Sequence, residues 1–221
     1  MDLNNFDVII SGWSGKMGLA LRKLVPFYFS GNIYDYKKIE KESLKHPIWI
    51  DFSNQAVFPT IIAQVSLLSC PLVTGTTGLN DKDWECLKDL SQQIPVFYDT
   101  NFSLGVHLLR KLIASMPHQI SNFDVSILES HHSSKKDSPS GTAKTLQSDL
   151  SKIGIKNVPI LSHRGGGIRG EHEIILAGDN EILTLKHEVL DRSVFAEGAL
   201  KAAVWLLKQS KGLYNMEHFI S

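Results

Sequence analysis

Residues 7–11 (DVIIS) form a short, β-branched apolar run of the kind that a strand buried on both faces needs. A glycine-rich stretch, GWSGKMG, follows it. Next comes LALRKLVPFYF, where Leu19, Leu21, Leu24 and Val25 suit a helix whose continuation Pro26 weakens. The alternation then repeats. NIYDY (32–36) and PIWIDF (47–52) are predicted strands, and QAVFPTIIAQVSLL (55–68) is a predicted helix with Pro59 in its first turn. PLVTGTTG carries a strand into a glycine turn, DKDWECLKDLSQQI is a helix capped by Asn80 or Asp81, and PVFYDTNFS runs from strand to loop. Strand and helix alternating over about the first hundred residues predict an α/β domain, a Rossmann-like doubly wound parallel sheet. Ligands of such a sheet bind beyond the carboxyl ends of its strands, which puts GWSGKMG, DFSN, TGTTG and YDTNFS at the binding edge.

Beyond Phe102 the pattern changes. Residues 104–116 read as a helix, FDVSILES (123–130) as a strand and residues 140–150 as a helix. EHEIILAGDNEILTLKHEVL (171–190) alternates apolar and polar residues around GDN, the signal of a hairpin in an open antiparallel sheet. FAEGALKAAVWLLKQ is an amphipathic helix able to return to the first domain. The expected organisation is a dinucleotide-binding domain from residues 1–101 and 195–221. An α+β substrate-binding and oligomerisation domain with an open mixed or antiparallel sheet would occupy residues 102–194.

The 221 residues are 43% hydrophobic and 21% charged, which allows a sizeable core. Lys plus Arg balances Asp plus Glu at 23 each, so no global positive field draws nucleic acid or an acidic membrane surface. Cys70 and Cys86 lack the spacing of a zinc knuckle or a disulfide framework. The first residues, MDLNNFDVIISG, lack the basic start and long apolar core of a signal peptide, and no apolar run has membrane-spanning length. A cytoplasmic, reducing setting is the expectation.

Gly12, Gly15 and Gly18 stand between a predicted strand and a predicted helix in GxxGxxG spacing, a relative of the dinucleotide fingerprint. One glycine makes the tight turn, one admits a pyrophosphate to the backbone amides, and one lets helix and strand pack closely. Asp35, near the end of the second predicted strand, suits the adenine-ribose hydroxyls, whereas Lys37 and Lys38 suit a 2′-phosphate, so NADH and NADPH both stay open. Trp13 beside the turn reads first as a packing residue.

The densest chemistry lies in ESHHSSKKDSPSGTAKTL (129–146). His131 and His132 are neighbours at a strand end, where side chains alternate, so they cannot easily face one metal ion. No metal is expected. Pro139-Ser140-Gly141-Thr142 opens a helix whose first amides can cradle a carboxylate or phosphate, with Lys135 and Lys136 adjoining. Free lysine and histidine titrate near about 10.4 and about 6.5, so protonated donors exist at neutral pH. An anion cradle beside proton donors suits a small acid that gains both hydride and proton. A different NAD(P)-dependent dehydrogenase of small acids and a non-catalytic dinucleotide sensor are the rival readings. His46, His107, His118, His163, His187 and His218 read as surface or packing residues, with His172 evenly balanced.

Glu129 to Ala143, as E-x-H-H-x-x-K-x-D-x-P-S-G-T-A, resembles the signature of the dihydrodipicolinate reductases. GWSGKMG, IDFS, GTTG (75–78), NFS (101–103), R-x-G-x-x-x-G-x-H (164–172) and FAEGALKAAVWL extend the resemblance over most of the chain. The resemblance implies NAD(P)H-dependent reduction of 4-hydroxy-tetrahydrodipicolinate, with loss of water, to tetrahydrodipicolinate in lysine and diaminopimelate biosynthesis. It implies an acid/base role for His131, a proton donor in Lys135, and carboxylate-holding roles for His132, Gly141 and Thr142. It likewise implies cofactor contacts at Gly12, Trp13, Ser14, Gly15, Lys16, Met17, Asp35, Gly75, Thr76, Thr77, Asp99, Thr100, Asn101 and Phe102. A small dicarboxylate substrate and a homotetramer follow from the same likeness. Ser138 stands where the family usually has alanine and Lys16 where it usually has arginine.

Overall fold

A computed structural model describes residues 6–40 and 43–221. Residues 1–5, part of the stretch read above for a leader, lie outside the described residues, as does the side chain of His118. The chain divides into two compact units, Met1–Ser103 with Ser193–Ser221, and Leu104–Arg192. In order, the first unit begins with β1 (Val8–Ser11), α1 (Lys16–Leu24), β2 (Ile33–Asp35), β3 (Ile48–Asp51), α2 (Phe58–Leu68), β4 (Leu72–Thr74), α3 (Asp81–Ser91) and β5 (Pro95–Tyr98). The second holds α4 (Leu104–Ala114), β6 (Asp124–His131), α5 (Gly141–Lys152), β7 (Ile160–Arg164), β8 (Glu171–Ala177) and β9 (Ile182–Glu188). The chain then completes the first unit with α6 (Ser193–Leu206), β10 (Gly212–Tyr214) and α7 (Met216–Phe219).

In the first unit six strands run parallel in the order β10-β5-β4-β3-β1-β2. The run DVIIS explains its own position. Val8 and Ile10 pack into one cluster with Ile48, Ile50 and the small residues Ala196, Ala199 and Ala203 of α6. Ile9 turns the other way, to Trp49, Phe58, Ile61 and Leu87 beneath α2 and α3. A strand covered on both faces has no polar side to offer, hence three apolar residues in succession, Val8 to Ile10. Each such residue contributes about 1.5–3 kcal/mol on full burial. Gly198 lets α6 lie close, since a Cβ there would sit 1.8 Å from the Phe102 carbonyl oxygen.

Local chemistry fixes the helix ends. Asn80 is the cap of α3: its Oδ1 accepts the Asp83 amide at 3.0 Å, and Asp83 Oδ2 accepts the Asn80 amide at 3.0 Å. α1 starts at Lys16, earlier than Leu19, and yields after Leu24 to a 3-10 turn, Val25–Phe27, around Pro26, which has no amide proton to give.

The second unit is a four-stranded mixed sheet in the order β7-β6-β8-β9. β8 pairs antiparallel with β6 and β9, as the alternation predicts. β7, which the sequence pattern did not announce, pairs parallel with β6 and makes the sheet mixed. One face buries Val125, Ile127, Ile174 and Leu176 against Leu109, Ile113, Leu146 and Leu150 of α4 and α5. The alternate positions form the other face, where Leu161 and Ile182 are exposed and Lys186 pairs with Glu171, Glu173 and Glu188.

Candidate functional site

Because its strands are parallel, the first unit gathers the loops after β1, β3, β4 and β5 along one sheet edge. The chain leaves β1 at Gly12 with φ +83°, a left-handed conformation that favours glycine. A Cβ on Gly12 would lie 2.2 Å from the Phe52 carbonyl oxygen, and one on Gly18 would lie 2.3 Å from the Gly12 oxygen. The turn is therefore pressed onto the end of β3, and α1 onto the turn. Gly15 is the cap of α1 and brings no side chain to its amides, which leaves the first turn an anion seat. A cleft of about 390 Å³ is lined by Gly12, Trp13, Ser14, Gly15, Asp35 and Lys37, among others. The Asp35 carboxylate, at the end of β2, accepts the Lys37 amide at 3.2 Å. The Trp13 ring lies under the Arg22 guanidinium, 4.4 Å from ring centroid to Cζ. Lys16 is exposed, while Met17 is partly buried against the core.

The remaining nominated residues divide by exposure. Gly75 lies over Phe52, whose ring a Cβ would meet at 2.2 Å. Thr77 and Thr100 are exposed. Asp99 accepts the amides of Asn101 at 3.0 Å and Met216 at 3.2 Å, and Asn101 Oδ1 accepts that of Ser103 at 2.9 Å. Thr76 and Phe102 are 1% exposed. Their side chains belong to the interior. The residues present fit a dinucleotide: a glycine turn that no Cβ could replace, a free helix start and an acidic group at one cleft.

The second unit builds a separate cluster by strand register. On β6, Glu129 and His131 are two apart and share a face; Glu129 pairs with His172 of β8, and His131 with Arg164 of β7. Glu129 is fully buried. Its Oε2 meets His131 Nδ1 at 2.5 Å, and its Oε1 accepts Arg164 Nη2 at 2.7 Å and the Ser140 amide at 3.3 Å. Burial works to raise the carboxyl pKa, but the bonds from Arg164, Ser162 and His131 prevail and hold it down at about 2. A carboxylate only accepts, so His131 Nδ1 carries the hydrogen and Nε2 keeps its lone pair while the ring is neutral. Burial pushes His131 below the ordinary histidine value despite Glu129, with Lys135 and Arg164 adding to the lowering. Neutral is thus its resting state at pH 7.

Ser140 caps α5 by accepting the Ala143 amide at 3.2 Å, and its hydroxyl meets His172 Nε2 at 3.2 Å. Gly141 and Thr142 follow as the first helical positions. Burial, then the charges of His131 and His187, lower His172 to about 4. Lys135 Nζ lies 2.8 Å from Asp137 Oδ1, and the Asp137 carbonyl accepts Arg164 Nη2 at 2.7 Å. His132 turns away from His131 and meets Ser134 Oγ at 2.7 Å. Among the described residues Glu129, His131 and His172 have metal-ligand composition, with ligand atoms within 4.8 Å. The guanidinium of Arg164 already brings the positive charge a metal would supply, and the cluster reads as a hydrogen-bonded network.

A family model described as the N-terminus of dihydrodipicolinate reductase matches residues 29–102, and one described as its C-terminus matches residues 105–220. The 4-hydroxy-tetrahydrodipicolinate reductase of Bdellovibrio bacteriovorus is 40% identical over 217 residues, covering 94% of this chain and 93% of its own. The chain belongs to the dihydrodipicolinate reductase family. Another relative of the same name, from Rickettsia rickettsii, is 37% identical over 232 residues, covering 94% of this chain and 96% of its own. Among solved structures, dipicolinate-bound dihydrodipicolinate reductase from Paenisporosarcina sp. TG-14 shares the fold, with a TM-score of 0.76 at 22% identity, covering 96% of this chain and 97% of that one.

Within the reductase C-terminal match lie Glu129 and Arg164, to which the sequence reading gave no role, His172, which it left evenly balanced, and Ser140, which it placed in the anion cradle. The two-residue step from Glu129 to His131 on a predicted strand was the available signal for the first. Arg164 and His172 sit on strands whose register no single sequence discloses. Asp137, also without a role in that reading, is the ion-pair partner of Lys135, and Lys136 is exposed.

Proposed function

We propose that this protein is an NAD(P)H-dependent 4-hydroxy-tetrahydrodipicolinate reductase of lysine and diaminopimelate biosynthesis, acting in the cytoplasm. The observation that carries the reading is the hydrogen-bonded set of Glu129, His131 and Arg164, joined through Ser140 to a helix start, in a chain of this family. The glycine turn at residues 12–17, Asp35, and the loops at 75–77 and 99–102 would hold the dinucleotide. When bound, it supplies the hydride.

The chain's own groups manage charge and protons. Gly141 and Thr142 amides and His132 receive the carboxylates of the small dicarboxylate, as the helix start favours anions. Neutral His131 accepts a ring C–H proton at Nε2 and returns it to the departing hydroxyl, so that water leaves with no net uptake of a proton. Hydride addition to the resulting dihydrodipicolinate leaves negative charge on the ring system, and the Lys135 ammonium neutralises it by giving a proton that solvent then restores. One hydride and one proton are added in all. Asp137 holds the ammonium ready, and Arg164 keeps Glu129 ionised so that His131 stays in its Nδ1–H form. Four chains would assemble through the outward face of the second unit's sheet, where Leu161 and Ile182 lie exposed.

The test is oxidation of NADH and NADPH, each in turn, with the product of dihydrodipicolinate synthase generated freshly in the same cuvette. Oxidation of at least one of them rises above background if the reading holds, and light scattering of the same sample reads four chains. Absence of oxidation with either cofactor removes the assignment.

A further inference from the structure

Asp51 closes β3 and is 0% exposed. Its Oδ1 accepts the Ser11 hydroxyl at 2.5 Å and the Ser53 amide at 3.1 Å. Its Oδ2 accepts the Thr74 hydroxyl at 2.8 Å and the Thr76 hydroxyl at 2.7 Å. Trp49 Nε1 donates to Ser11 Oγ at 3.0 Å, which leaves that hydroxyl's own proton for Asp51. The Asp51 carbonyl accepts the Gly75 amide at 2.9 Å, and Thr76 N donates to Thr74 Oγ1 at 3.3 Å. These donors come from the ends of β1, β3 and β4 and from the loops that leave β3 and β4. All of them are neutral.

A carboxylate taken out of water without a cation is costly unless its lone pairs are filled. Here the filling groups belong to the loops at the binding edge, and Asp51 has no capacity left for a ligand. Its contribution is to geometry. Ser11 immediately precedes the Gly12 turn, and Thr76 stands in the middle of GTTG. Drawing the Thr76 hydroxyl inward leaves Thr77 outside and sets the backbone of residues 75–77.

We infer that Asp51 is a positioning residue for the dinucleotide, and that the Thr76 hydroxyl acts on the cofactor through Asp51. This rests on the assignment of these loops to the NAD(P)H site. Asp51→Asn turns one acceptor oxygen into a donor facing another donor, so the network cannot close around it.

The measurement is NADH affinity of the full chain by fluorescence titration, together with the KM for each substrate. D51N should weaken NADH by about ten- to a hundredfold, the loss expected for hydrogen bonds to a charged group, and raise its KM. The KM for the dicarboxylate should move by less than about twofold if the effect is confined to the cofactor loops. T76V should lose about tenfold in affinity, and T76S, which keeps the hydroxyl, should recover most of that loss. Adding T76V to D51N should cost little more than D51N alone, because the two changes remove one interaction. Unchanged NADH affinity in folded D51N overturns the inference, as do equal rises in both KM values or fully additive losses in the double variant. Should D51N not fold, the T76V and T76S pair decides: equal affinities overturn it. A wild-type chain that binds no NAD(P)H overturns the site assignment itself and the inference with it.

Discussion

Two buried carboxylates serve the two units, and they are held by opposite kinds of partner. Asp51, in the parallel sheet, is surrounded by hydroxyls and amides, none of which gains or loses a proton near neutral pH. Glu129, in the mixed sheet, is held by a guanidinium and an imidazole as well as by the Ser140 amide. Neutral donors give a buried charge a fixed shape and nothing to exchange. An imidazole gives it a neighbour whose protonation it can tune. The same burial therefore makes a rigid frame in the first unit and a proton-handling hub in the second. Chemistry follows the donors more than the carboxylate.

The largest expected effect tests the second half of that contrast. Lys135→Ala removes the donor beside Asp137 and should lower turnover roughly 10²–10⁴-fold, the scale of a lost proton-transfer group. Single-turnover oxidation of NADH reads it, and a near-normal rate would take Lys135 out of the mechanism. Glu129→Gln comes next. Glu129 pulls the His131 pKa upward against burial, so its neutralisation should lower that pKa further. If His131 works in its neutral form, the acid limb of kcat/KM moves to lower pH, with turnover down about ten- to a hundredfold from lost orientation. An unmoved limb would separate His131 from the rate. The carboxyl itself is lowered from 4.5 to about 2, so its stabilisation is complete above 4.5 and is lost as pH falls toward 2. Melting temperature across that window should fall less steeply in E129Q than in the wild type. D51N should leave the limb where it is; a shift there would break the contrast between the two carboxylates.

Much of the frame was legible because local rules and tertiary packing agree in it. Val8 to Ile10 are all apolar since both faces of the strand are covered, and Asn80 caps α3 for the reason its side chain suggests. β7 was not, because Ile160–Arg164 alternates poorly and three of its residues are exposed, so only pairing with β6 makes it a strand. β10 opens on Gly212 and has no β-branched residue, so nothing local announces a strand. In the site, His131, Lys135 and the helix start at Ser140 stood out as chemistry crowded into one stretch. Glu129, Arg164 and His172 are brought together by sheet register across 43 positions of sequence, from 129 to 172, and register is a tertiary fact. Thr76 and Thr77 are identical in type, and only the buried Asp51 decides which one faces inward.

The smallest effect concerns the outer rim of the first unit, where the frame meets solvent. Asp35 is half-buried and lines the cleft beside the glycine turn, with Lys37 in the same cleft. Its carboxylate can accept from a ribose hydroxyl and would repel a 2′-phosphate, while Lys37 would attract one. A single hydrogen bond in an open cleft is worth only about 0.5–1.5 kcal/mol, so Asp35→Ala should raise the KM for NADH about two- to tenfold. The KM for NADPH should rise less or fall, because removal of the repulsion offsets the lost bond. Initial rates at saturating dicarboxylate with each cofactor decide it. Equal changes would place the ribose contact away from Asp35, and cofactor choice would then rest on Lys37 and the exposed Lys16, residues that no buried carboxylate holds in place.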